Sequence, residues 1–119
     1  MFGWLYDLLH RLELRRERMT GTVDCDPRGF VLRRGREIKA MRWDEVCRIE
    51  VGRQPTPGVE IFFAVLWSDR EGILVDDVNS GFQAFQDAVL ARWPAVEAEW
   101  TRVFMGSPDK AEQVEVWKR

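Results

Sequence analysis

An α+β fold, with an antiparallel meander sheet of about six to seven strands and amphipathic helices near both ends, is predicted by three patterns in the sequence. Residues 59–67, VEIFFAVLW, form the most apolar run and return through a polar turn into a second short run. Residues 22–42 alternate apolar and polar side chains between turn signals. Residues 2–18 and the stretch after Ser80 place apolar side chains at helical spacing. The chain divides into an N-terminal helix, 1–19, and a single α+β domain, 20–119.

The hairpin is the organising element. At a period of two, Val59, Ile61, Phe63, Val65 and Trp67 share one face, and Glu60, Phe62, Ala64, Leu66 and Ser68 share the other. A strand that is apolar on both faces has to be covered on both, which predicts a central strand. Its β-branched and aromatic content, between Pro57-Gly58 and Ser68–Gly72, favours strand over helix. The return strand, 72–76, places Ile73 and Val75 on one face.

The remaining elements follow in order. In residues 2–18, Phe2, Leu5, Leu8, Leu9 and Leu12 form a stripe, with Asp7, Arg11, Arg15 and Arg18 away from it. Such a stripe, with Trp4 beside it, can dock on its own domain, form a homodimer or partner contact, or lie on a membrane surface. Val23 and Cys25 then alternate with Thr22, Asp24 and Asp26, and Asp26-Pro-Arg-Gly29 has the residues of a type I turn. Phe30–Arg34 and Glu37–Arg42 complete three short strands. Trp43 is predicted to seat a corner between strands, and Cys47, Ile49 and Val51 to face inward from the next. Gly52–Gly58 is expected to be a loop rich in breakers. Ser80 is the predicted N-cap of a helix, with Gln83 at the capping-box position, carrying Phe82, Phe85, Val89 and Trp93 and stopped by Pro94. Val96, Trp100, Val103 and Phe104 mark a further helical face, and Val114–Lys118 a last strand that returns to the sheet.

At 119 residues with 45% hydrophobic content, the chain is long enough to bury a core without metal or disulfide support. Residues 1–53 hold twelve Lys/Arg against nine Asp/Glu, and residues 54–119 six against eleven. This mild polarity, with a pI near 5.5, disfavours nucleic acid as a partner. Cys25 and Cys47 read as reduced, inward-facing thiols, with a disulfide or redox pair as the alternative. There is no CxxC, and the single His10 gives no His-rich metal site. The N-terminus lacks a basic n-region and a cleavage site, so a cytoplasmic location is expected.

No catalytic constellation assembles, and no cofactor is predicted. The glycines form neither a P-loop nor a dinucleotide fingerprint. Asp44-Glu45 and Asp76-Asp77 are paired carboxylates, but neighbours on a strand point to opposite faces, so each pair offers one group to any site. Arg28, Arg33, Arg34, Arg36 and Lys39 gather around the second strand and could meet a phosphate or an acidic protein surface, or simply solubilise the hairpin. Trp67, Trp100 and Trp117 are the candidate interface anchors, with core packing the alternative for each.

Arg42-Trp-Asp-Glu-Val46 with Ile49, Phe62–Trp67, Gly81-Phe82, Trp93-Pro94, Met105-Gly-Ser107 and Val116-Trp117 resemble a family of small bacterial proteins of unknown function. The resemblance spans residues 20–119 and supplies no catalytic residues. The meander, central hairpin and C-terminal helix are also similar to pleckstrin-homology-type domains. The segment after Pro94 departs from that pattern, which leaves a partial barrel of that type or an open antiparallel sheet with helices on one face.

These features together predict a non-catalytic protein-binding module of immunity or regulatory type. The alternative is a peripheral module that binds phospholipid headgroups through the N-terminal stripe and the Arg28–Lys39 cluster. A third class, a small hydrolase or metal enzyme, would use Asp44, Asp76 or Asp77.

Overall fold

The computed structural model describes residues 21–56, 59–106 and 111–119. The predicted helix at residues 1–19, with Phe2, Trp4, Leu5, Leu8, Leu9 and Leu12, lies outside the described residues, as does His10. Seven antiparallel strands and two α-helices are described, so the α+β class holds. The single meander does not. The strands divide into two sheets, β1-β2-β3 and β6-β5-β4-β7.

The first sheet is the predicted meander of β1 (Thr22–Asp26), β2 (Gly29–Arg34) and β3 (Glu37–Arg42). Its first turn is closed by Asp26, whose carboxylate accepts the N–H groups of Arg28 at 2.7 Å and Gly29 at 3.1 Å. Trp43–Glu45 then form a 3-10 turn that carries the chain out of this sheet. The Trp43 ring is buried, its indole N–H donates to the Asp26 carbonyl, and its backbone N–H donates to that of Arg28. The corner expected at Trp43 is therefore the junction between sheets.

The second sheet contains β4 (Arg48–Thr56), β5 (Val59–Trp67), β6 (Gly72–Asp76) and β7 (Glu112–Lys118). The expected loop at Gly52–Gly58 is largely strand, because the β4–β5 ladder runs unbroken from Arg48↔Trp67 to Thr56↔Val59. Pro55 lies past the end of the β7 pairing at Arg53↔Glu112. There β4 has one neighbour instead of two, the edge-like setting in which a strand tolerates proline. On the other side of β4, Ile49 pairs with Trp117 and Glu50 with Glu115. Val116 is the extra residue of a bulge, which lets both Val116 and Trp117 pack against the core.

Helix α1 (Phe82–Arg92) buries Phe82, Phe85 and Val89, as their spacing predicts. The predicted Ser80 cap is corrected. The N-cap is Gly81, no side chain caps the helix, and Gln83 bonds Asp87 instead. Ser80 exchanges backbone hydrogen bonds with the start of β1, donating to Gly21 and accepting from Val23. A 3-10 turn at Pro94–Val96 leads into α2 (Glu97–Phe104), which buries Trp100 and Val103. Phe104, predicted on that buried face, is 42% exposed and touches Phe62 edge-on.

The core lies between the sheets and these helices. Phe62, Ala64 and Leu66 of β5 join Ile49, Val51, Ile73 and Val75 there, together with Phe30, Leu32 and Met41 of the first sheet. Edge-to-face contacts at Phe30–Phe85 and Trp43–Trp93 tie the first sheet and the corner to α1, the offset geometry that aromatic quadrupoles prefer.

Candidate protein-binding surface

The acidic pairs act as local structure. Asp44 accepts from the Arg42 guanidinium, and Glu45 from the Arg42 backbone N–H. The Asp76 carboxylate accepts the N–H groups of Val78 and Asn79 and faces Arg34 at 3.8 Å, closing the turn after β6. Burial pushes the Asp76 and Asp77 carboxyls above the ordinary range, against the opposing pull of Arg34 on Asp76. Among the described residues, no group of three or more His, Cys, Asp or Glu side chains is placed to hold a metal ion. Cys25 and Cys47 are free, half-buried thiols, and burial beside Asp24 and Asp26 pushes the Cys25 thiol up to about 11.

The structure does not bring the five basic candidates together. Arg28 sits on the turn at one end of β2, and Arg34 and Arg36 lie at the other, separated by the length of a six-residue strand. Four of them face carboxylates within 4 Å: Arg28 with Asp26, Arg33 with Asp24, Arg34 with Asp76 and Lys39 with Glu37. Arg36 is exposed in the β2–β3 turn. The cluster is thus spread along the first sheet, with Arg34 and Lys39 lining one depression beside β6 and Arg28 at the far end.

The three tryptophan candidates also separate. Trp100 takes the core alternative: it is 1% exposed, and its indole donates to Gln86 at 2.7 Å. Trp117 is half-buried against the core, 5.4 Å from the Trp93 ring. Trp67 stands on the opposite, outer face of the second sheet. Two glycines make that face possible. A Cβ on Gly72 would meet the Trp67 ring at 2.7 Å, and one on Gly52 would meet the Phe63 ring at 2.3 Å. Without those methyls, each ring lies flat across the neighbouring strand.

The Arg48 guanidinium stacks 4.7 Å from the Trp67 ring centroid, a cation–π arrangement, and lies 3.7 Å from Glu50. The Trp67 indole N–H donates to Glu50, which fixes the ring plane. Cys47, Arg48, Trp67, Ser68, Asp69, Lys118 and Arg119 line an open depression of about 380 Å³. Three of these side chains are cationic and one is anionic. The Arg119 guanidinium is committed to the carbonyls of Asp44 and Val46, which anchors the end of β7 and leaves Arg48 and Lys118 as the cations on the rim.

Arg48 and Lys118 are functional candidates that sequence reasoning missed. Alternation places Arg48 on the outer face, but only the register Arg48↔Trp67 and Arg48↔Lys118 brings these three strands' residues side by side. No family model matches this chain, and neither a curated protein nor a solved structure matches it.

Proposed function

We propose that this chain is a non-catalytic protein-binding module whose contact surface centres on Trp67 and receives an acidic segment of its partner. The observation that carries the reading is the depression itself: an indole held flat, a guanidinium stacked on it and Lys118 beside them. Trp and Arg are the residue types that most often anchor interfaces, and a cationic rim steers an acidic partner. A headgroup-binding role would draw on the Arg28–Lys39 cluster, whose members are spread over both ends of β2.

The test is an affinity capture from native lysate with the full-length protein and its Arg48→Glu/Lys118→Glu variant, both checked for equal thermal stability. One stoichiometric protein retained by the wild type and lost by the variant is the expected result. A partner held equally by both would remove Trp67 as the centre of contact. No stable partner, together with a measurable turnover, would overturn the binding role.

A further inference from the structure

The outer face of the second sheet is apolar along β5, where Ile61, Phe63 and Val65 stand in a row with Leu74 of β6 beside Val65. Among the described residues, no helix packs on that face. Phe82 of α1 and Trp100 and Phe104 of α2 all meet Phe62, which points the other way. Ile61 and Val65 nevertheless keep only 6% and 8% of their surface, as core residues do, although they stand apart from the main core. Leu74, beside them, is 41% exposed.

We infer that the N-terminal segment Phe2–Leu12 of this same chain docks on this face, with its leucine stripe against Ile61, Phe63, Val65 and Leu74. Three features single out that occupant. Its apolar residues, Phe2, Leu5, Leu8, Leu9 and Leu12, recur at helical spacing, so one side of a helix presents them together. Its length fits: eleven helical residues extend about 16 Å, close to the about 14 Å that four strands span between their outer axes. Its tether starts in the right place. Gly21 lies against Asn79 and Arg34 beside the Asp76 end of β6, and Asp76 pairs across from Phe63 on this face. The intervening residues, 13–20, can extend up to about 26 Å, ample to reach Leu74. The Trp67 depression lies at the other end of β5 and stays open, so the inference stands whether or not Trp67 binds a partner.

The test uses the full-length chain with Cys25→Ala and Cys47→Ala, carrying Leu74→Cys with Leu5→Cys, Leu8→Cys or Leu12→Cys in turn. Under mild oxidation at low protein concentration, at least one pair is expected to close an intramolecular disulfide in most molecules. Disulfides that form only between two chains would assign the face to a second copy and overturn the inference. Failure of all three pairs would also overturn it. A cysteine-independent arm uses Leu8→Glu/Leu9→Glu in the native chain, for which a drop of several degrees in the thermal midpoint, independent of protein concentration, is expected. An unchanged midpoint would refute docking in cis. Sedimentation of the native chain, but not the variant, with phosphatidylserine vesicles would assign the stripe to a membrane surface and overturn the inference.

Discussion

Replacing Arg53 with methionine removes one of the two most buried charges in the described structure, the other being Asp76. Arg53 is 9% exposed and projects from the core face of β4, where one terminal nitrogen donates to the carbonyl of Phe104, the last residue of α2. The other bonds Glu60, while the Nε–H is buried without a partner. Three contributions decide the cost. A charge-assisted bond to a helix C-terminal carbonyl contributes about 1.5–3 kcal/mol. The pair with Glu60, whose side chain is 43% exposed, contributes about 0.2–1 kcal/mol after solvent screening. Removing the unpartnered Nε–H returns part of both, since an unsatisfied buried donor costs about 1–3 kcal/mol. A methionine fills most of the same volume, so we expect a net loss of about 1–2 kcal/mol for Arg53→Met and under about 1 kcal/mol for Glu60→Gln. The assay is urea unfolding of both variants, read as a change in midpoint at constant m-value. Equal losses in the two variants would show that the ion pair, not the helix end, holds Arg53. A neutral Arg53→Met would refute the capping role altogether.

Other outcomes follow from the same geometry. Gly52→Ala places a methyl 2.3 Å from the Phe63 ring and 2.9 Å from the Glu112 carbonyl, so it should destabilise by about 1–3 kcal/mol. Phe63→Leu in the same chain should recover part of that loss, and strict additivity in the double variant would rule out the ring contact as its cause. Asp76→Asn keeps an oxygen for Val78 and Asn79 and removes the buried charge. A carboxyl whose folded pKa is raised contributes most below its unfolded value, near 3.8, and loses that contribution as pH climbs through the folded value. The difference in thermal midpoint between Asp76→Asn and wild type should therefore shift in the variant's favour as pH rises above 3.8; a shift the other way would contradict the raised pKa. With its pKa pushed up to about 11, Cys25 is thiolate in about one molecule per thousand at pH 8, so iodoacetamide should label it far more slowly than free cysteine. Labelling at the free rate would contradict the burial.

The strands of the first sheet, the β5–β6 hairpin and the buried stripe of α1 were legible in the sequence because each follows from contacts a few residues apart. Alternation in residues 22–42, the Asp26–Gly29 turn and the spacing of Phe82, Phe85 and Val89 are local signals, and local hydrogen bonding realises them. Of the candidate surface, Trp67 and its strand were visible, while its cationic neighbours were not. Arg48, Trp67 and Lys118 are 19 and 51 residues apart at successive steps, and their meeting depends on strand register. The same long-range pairing decided that β7 returns beside β4, that Gly52–Thr56 extend a strand, and that Arg53 reaches the end of α2. It also decided which face of β5 enters the core. Both faces are apolar, so periodicity leaves them equivalent, and the side on which α1, α2 and the first sheet pack makes Phe62, Ala64 and Leu66 interior. Local spacing and turn chemistry were enough to mark the strands of the first sheet, the β5–β6 hairpin and α1. The tertiary structure decided which faces are buried and which distant residues become neighbours, because those depend on packing between segments that no local pattern encodes.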